Sequence, residues 1–79
     1  MNIVEATKNA LEQGIGITNK YLRNINCYLL PTNTDECYLI VPAGYSHKED
    51  KKVAARWNPK AADILSNDWE VMEVKPWFL

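Results

Sequence analysis

The chain contains, at residues 56–71, the segment Arg56-Trp57-Asn58-Pro59-Lys60-Ala61-Ala62-Asp63-Ile64-Leu65-Ser66-Asn67-Asp68-Trp69-Glu70-Val71. Asn58 is a preferred N-cap residue, and Pro59 would then take the first helical position, where its missing N–H does no harm. After two turn-forming residues, apolar and polar side chains alternate as they do in a half-buried strand. The segment therefore predicts a short helix near residues 59–66, followed by a strand over residues 69–74.

A second helix is predicted at the N-terminus, over residues 2–13. Asn2 is a suitable N-cap, and Glu5 stands three residues later, where a capping-box acid belongs. Gly14 suits the position just after the last turn. We expect one apolar stripe that lies on a sheet, formed by Ile3, Val4, Ala6, Ala10 and Leu11.

The remaining apolar runs predict short strands. These runs are Ile15–Thr18, Cys27–Leu30, Glu36–Val41 and Val53–Trp57. Gly16 indicates a bulge or a close approach by another group. Residues 19–24 are interpreted as an irregular loop, and the turn at residues 31–35 should join an antiparallel hairpin. The predicted fold class is α+β, a single domain over residues 1–79 with the N-terminal helix packed on a short antiparallel sheet.

Charge and hydropathy exclude several classes of protein. The 79 residues carry a formal charge of −1, which disfavours a nucleic-acid polymer as ligand, because that requires a basic face. No run approaches the ~20 apolar residues of a membrane span. We expect a cytosolic protein that has no membrane partner and whose cysteines are reduced.

Catalytic and metal-binding patterns are weak, so we expect no enzyme, no metal and no cofactor. His47 is the only histidine and stands in a charged segment, residues 45–52, interpreted as a solvated hairpin tip. Cys27 and Cys37 lie in strand-like runs and are best explained as small core residues. Asp63 and Asp68 suit surface or capping roles better than paired acid–base chemistry.

Aromatic rings and cations favour a binding site for a small anion. Tyr21 and Trp57 occupy loop or corner positions where they could stack on a flat ring, with plain packing an equal alternative. Arg56 offers a forked cation suited to phosphate, although a solvated strand residue explains it as well. Lys20 and Arg23 are weaker candidates of the same kind.

Two further features could complete such a site. The helix start at Asn58 and Pro59 would present N–H groups to an anion. Thr32, Asn33 and Thr34 supply short donors and acceptors on a turn, and turn formation alone explains Asn33 well but the two threonines less well.

The size of the chain indicates where a pocket could lie. Ligand pockets usually enclose ~300–1,000 Å³. A domain of 79 residues can hardly hollow out that volume, so a groove between two subunits is expected. The apolar tail, residues 77–79, either folds back or meets another chain. An alternative function follows from that tail, a protein-binding inhibitor anchored to its target by Trp77, Phe78 and Leu79.

The C-terminal segment resembles the signature of the Thoeris anti-defence type 2-like family. The matching positions are Arg56-Trp57-Asn58-Pro59, then Asp63-Ile64-Leu65, then Asp68-Trp69-Glu70-Val71. The N-terminal helix, the run Gly14–Thr18 and the turn Pro31–Thr34 are also similar, so the resemblance covers nearly the whole chain.

The resemblance implies a phage or prophage protein that acts in the host cell cytoplasm and sequesters an immune nucleotide without cleaving it. The implied ligand is a cyclic ADP-ribose isomer, such as a glycocyclic ADP-ribose, made by a bacterial TIR-domain enzyme, with cyclic oligonucleotides as a further possibility. It also implies a homo-oligomer, commonly a tetramer, with ligands between protomers. Tyr21 and Trp57 would hold the base, and the family often has tryptophan where this chain has Tyr21. Two alternatives remain, namely inhibition of a host defence enzyme through the apolar tail and degradation of the nucleotide.

Overall fold

The computed structural model describes residues 1–42 and 55–73, which form three helices and five strands. In chain order these are α1 Ile3–Gln13, β1 Gly16–Thr18, α2 Lys20–Asn24, β2 Cys27–Pro31, β3 Tyr38–Pro42, β4 Ala55–Arg56, α3 Ala61–Leu65 and β5 Glu70–Met72. All strand pairs are antiparallel, in the order β4-β3-β2-β1-β5. The predicted α+β class is confirmed. The charged segment at 45–52 and the tail at 77–79 lie outside the described residues.

Helix α1 begins and ends as its sequence predicts. The Asn2 side chain accepts a 2.9 Å hydrogen bond from the Glu5 N–H, and Gly14 ends the helix in the left-handed region at φ 67°. Ile3, Ala6 and Ala10 are buried against the sheet.

The predicted apolar stripe of α1 is wrong at its two flanking members. Val4 and Leu11 are exposed. Each successive residue turns about 100° around the helix axis, so both side chains point roughly a quarter turn or more away from the buried line. The helix therefore presents apolar groups to solvent beside its core face.

The sheet separates two clusters of apolar side chains. Ile17, Leu29 and Ile40 are paired across β1, β2 and β3, and they share the face that α1 covers. Tyr28, Leu30 and Val41 form a buried cluster on the other face. Because side chains alternate along a strand, this register fixes which residues can meet the helices.

Gly16 marks a close approach, one of the two explanations predicted for it. A Cβ atom at this position would lie 2.6 Å from Cδ2 of Tyr28 and 2.8 Å from the carbonyl oxygen of Leu29. The absence of a side chain therefore allows β1 and β2 to pair closely here.

The loop predicted at residues 19–24 is instead the helix α2. The Asn19 side chain accepts a 2.9 Å hydrogen bond from the Leu22 N–H, and the Asp68 carboxylate accepts a 3.1 Å bond from the Lys20 N–H. Leu22 is buried in the core beneath α1. A helix of five residues has too little periodicity to be recognised, and its second cap comes from a residue distant in sequence.

Helix α3 forms where a short helix was predicted but begins later than expected. Its N-cap is Lys60, so the predicted capping role of Asn58 is wrong. Asp63 explains the shift, because its carboxylate accepts a 2.7 Å hydrogen bond from the Lys60 N–H. A carboxylate at the third helical position also interacts favourably with the positive end of the helix dipole. None of the helices in the described ranges has the length and apolar character needed to cross a membrane.

Candidate functional site

Trp57 lies at the centre of an aromatic cluster beside strand β3. Its backbone N–H donates a 2.8 Å hydrogen bond to the carbonyl oxygen of Tyr38. Its half-buried indole makes two tilted ring contacts, with centroids 5.5 Å from the Tyr38 ring and 5.8 Å from the Trp69 ring. Aromatic pairs at such angles contribute about 0.5–1.5 kcal/mol each beyond their burial. The two contacts fix the orientation of the indole.

The rings on either side of Trp57 are held by hydrogen bonds of their own. Trp69 is only 1% exposed, and its Nε1 donates a 3.0 Å hydrogen bond to the carbonyl oxygen of Asp63. The Tyr38 hydroxyl lies 2.6 Å from the Thr7 hydroxyl on α1. The cluster thus connects α1, β3 and α3, and it forms a preorganised wall.

A cleft of about 240 Å³ opens beside this wall. Its described lining is Asn19, Tyr21, Leu22, Ile25, Ile40, Arg56, Trp57, Asn58, Lys60, Asp63 and Trp69. Four residues that the sequence singled out as binding candidates, Tyr21, Arg56, Trp57 and Asn58, are therefore brought together. The volume is smaller than the ~300–1,000 Å³ that usually holds a small molecule.

A second, more open cleft of about 400 Å³ adjoins the first. The described residues that line both clefts are Asn19, Tyr21, Lys60 and Asp63. Lys20, a weaker candidate from the sequence, lines only the second cleft. Tyr21 and Lys60 therefore stand where the two spaces meet.

Tyr21 projects from α2 with 56% of its surface exposed. The ammonium nitrogen of Lys60 lies 5.4 Å from the centre of its ring. A cation–π contact at an exposed site is worth about 0.5–1 kcal/mol, so it positions the two side chains only weakly. The Tyr21 ring remains available to stack on a flat ligand.

Lys60 was missed by the sequence reasoning, which assigned the cationic role to Arg56. Arg56 also lines the first cleft, but the strand register pairs it with Leu39, which lies on the sheet face opposite Ile40. The Arg56 Nε lies 3.7 Å from the Glu36 carboxylate. Arg23, the other arginine considered, pairs with Glu70. The sequence predicted that the helix begins at Asn58, so Lys60 was interpreted as an ordinary residue within the helix and not as its N-cap.

The polar turn lies apart from both clefts. Thr32 donates a hydrogen bond to the Cys37 carbonyl oxygen, and its hydroxyl lies 3.0 Å from that of Thr34, which accepts a bond from the Glu36 N–H. These bonds stabilise the turn. Thr32, Asn33, Thr34 and Pro59 are not among the described residues that line either cleft, and their part in binding stays a prediction.

The negative charge of Asp68, which lines the second cleft, is stabilised by hydrogen bonds. The Ser66 hydroxyl and then the Lys20 N–H, both donating to the Asp68 carboxylate, lower the pKa of Asp68 below its usual 3.8. Asp68 thus stays ionised and links the end of α3 to the start of α2. Within residues 1–42 and 55–73, acidic, cysteine and histidine side chains form no group of three that could hold a metal ion.

Comparison with known proteins identifies the family. A family model described as Tad2-like, Thoeris anti-defense 2-like domain, matches residues 1–72 of the chain. No curated protein and no solved structure gives a match. The matched range includes every described residue of the aromatic cluster and of the lining of both clefts. The chain therefore belongs to the Thoeris anti-defense 2-like domain family, and its role is anti-defence.

Proposed function

We propose that the protein is a sponge that binds a cyclic ADP-ribose-type signalling nucleotide, such as a glycocyclic ADP-ribose, and holds it without cleaving it. The observation that carries the proposal is the cleft in which Tyr21 and Trp57 present aromatic rings beside the Lys60 ammonium. Aromatic rings can stack on adenine, and a cation can pair with the pyrophosphate. The family's anti-defence role gives such a site a purpose, since sequestering an immune signal would silence its effector.

The sponge would act as an oligomer in the host cell cytoplasm. The first cleft alone is too small to enclose a dinucleotide-sized ligand and the adjoining second cleft is more open, so a second copy would supply the opposite wall. Exposed apolar side chains offer contact area for such a copy; they are Val4, Leu11, Ile25, Ile64 and Leu65. We propose a tetramer built from dimers, in which Thr32, Asn33 and Thr34 of one copy can reach a ligand held by another.

Sequestration places a demand on affinity. A Kd near 1 nM corresponds to a binding free energy of about −12 kcal/mol. A partly open cleft in one subunit buries too little of the ligand to reach that value easily. Enclosure between two copies would bury more of the ligand. Cyclic oligonucleotides, which also carry stacked bases and phosphates, are a second ligand class that the same groups could accept.

Titration calorimetry with cyclic ADP-ribose isomers tests the proposal. The parent protein should bind at least one isomer tightly, and heat-denaturing the complex should release that isomer chemically intact. Failure of every isomer to bind would refute the proposal for this ligand class, and recovery of a cleaved product would refute sequestration.

Trp57→Ala should abolish this binding. The substitution also removes two ring contacts worth together about 1–3 kcal/mol, so circular dichroism must show that the variant is still folded. A folded Trp57→Ala variant that binds like the parent would exclude the cleft as the site. Native mass spectrometry of the parent would report the subunit number and the number of ligands in each assembly.

A further inference from the structure

The charged side chains around the two clefts differ in whether they already have a partner. Among the described residues, the guanidinium groups of Arg23 and Arg56 pair with Glu70 and Glu36 respectively. The ammonium group of Lys60 makes no ion pair within those residues, although Lys60 lines both clefts. Of the described cations that line the first cleft, Lys60 is therefore the one that a ligand can engage without first breaking a salt bridge.

The carboxylate nearest to Lys60 in sequence is occupied by the backbone. Asp63 accepts a 2.7 Å hydrogen bond from the Lys60 N–H, and this bond belongs to the start of α3. The Lys60 side chain instead extends over Tyr21, with its ammonium 5.4 Å from the ring centre. The backbone N–H of Lys60 thus bonds to Asp63, and its side chain contacts Tyr21.

This geometry has a consequence for ligand binding. A flat base that stacks on the covered face of Tyr21 must displace the Lys60 ammonium. A ligand that also carries a phosphate can accept the displaced ammonium as a charge-assisted hydrogen-bond donor, whereas an uncharged nucleoside leaves it without a partner.

We propose that Lys60 is the specificity-determining cation of the cleft and selects ligands in which an anionic phosphate lies close to an aromatic base. The inference rests on the proposed function and assigns the phosphate contact to Lys60 rather than to Arg56. Lys60 exchanges its contact with the Tyr21 ring for the ligand phosphate while the ring receives the base.

Calorimetry with cyclic ADP-ribose isomers, on the parent and on Lys60→Met, tests this assignment. Methionine keeps an unbranched apolar side chain and removes the charge, so affinity should fall about tenfold, which corresponds to about 1.4 kcal/mol. Lys60→Arg should restore most of the affinity. Lys8→Met is the matched control, because Lys8 is an exposed lysine on α1 outside both clefts, and it should bind like the parent.

Salt dependence separates a charge effect from a structural one. Raising the salt from about 0.1 M to about 1 M shortens the screening length from about 10 Å to about 3 Å, so parent binding should weaken. Lys60→Met should lose part of that dependence. Unchanged affinity in Lys60→Met, or weaker binding with the full salt dependence of the parent, would overturn this inference and leave the proposed function standing. A parent protein that binds none of the isomers would overturn both.

Discussion

Replacing Tyr21 with alanine separates ligand binding from folding more cleanly than any other change in the cleft. The ring is 56% exposed, and its described charged contact is with Lys60. Losing that contact costs about 0.5–1 kcal/mol, and the higher helix propensity of alanine in α2 returns up to ~0.7 kcal/mol. The free energy of unfolding should therefore fall by about 1 kcal/mol or less.

The effect of Tyr21→Ala on binding should be much larger. Stacking of a base on an aromatic side chain is worth about 1–3 kcal/mol by alanine substitution. At 1.4 kcal/mol for each factor of ten, the Kd for a cyclic ADP-ribose isomer should rise about 5- to 150-fold. Titration calorimetry measures this change, and urea unfolding of the same sample measures the stability.

Three companion variants make the result specific. Tyr21→Phe keeps the ring and should bind like the parent, whereas Tyr21→Trp offers a larger stacking surface and should bind more tightly. Glu12→Ala is the control and should bind like the parent, because Glu12 is exposed on α1, lies outside the described lining of both clefts and is not one of the apolar side chains proposed to contact a second copy. If Tyr21→Ala binds with the affinity of the parent while the parent binds well, the stacking role of this ring is refuted.

Three further predictions concern stability. Gly16→Ala should lower the free energy of unfolding by about 1–3 kcal/mol in urea, because its Cβ would lie 2.6 Å from the Tyr28 ring. Asn19→Ala should cost about 0.5–2 kcal/mol in the same assay, because the cap of α2 is lost. The hydrogen bond from the Ser66 hydroxyl is the largest cause that lowers the pKa of Asp68. Asp68 therefore contributes to the free energy of unfolding above its usual pKa of 3.8, and this contribution is lost as the pH falls through the lower folded-state pKa. Asp68→Asn should therefore flatten stability against pH in that acidic range.

For each of these three predictions, one outcome would contradict the structure. Parent-like stability of Gly16→Ala would mean that β1 and β2 do not approach as closely as described. An unchanged Asn19→Ala would show that α2 does not depend on its side-chain cap. An acid unfolding curve that is the same with and without a titratable group at Asp68 would remove the assigned role of that carboxylate.

Local signals in the sequence predict much of this fold. The cap at Asn2 and the stop at Gly14 act within a few residues, and both appear in the structure as expected. A strand also forms after Trp69, over Glu70–Met72, which is shorter than predicted. The hairpin of β2 and β3 follows in the same way from two apolar runs joined by turn residues.

What the sequence could not predict depends on contacts between distant residues. The start of α2 is stabilised in part by Asp68, which lies 48 residues away from Lys20. At α3, Asn58 was the better cap by residue type, but the Asp63 carboxylate fixed the start at Lys60.

The candidate site shows the same division. Tyr21 and Trp57 were identified because exposed rings at corners need a reason, and they line one cleft. Lys60 was missed, because its position over the Tyr21 ring depends on how α2 and α3 lie relative to each other. Contacts of that kind are set by tertiary packing and leave no local pattern in the sequence.

The central claim is that the protein captures an intact immune nucleotide. Its most direct test is mass spectrometry of the small molecule released by heat from protein purified out of cells with active TIR-domain signalling. We expect an unmodified cyclic ADP-ribose isomer from the parent and none from the folded Tyr21→Ala, Trp57→Ala double variant. Release of a linear or cleaved product, or of no nucleotide at all from the parent, would contradict the claim.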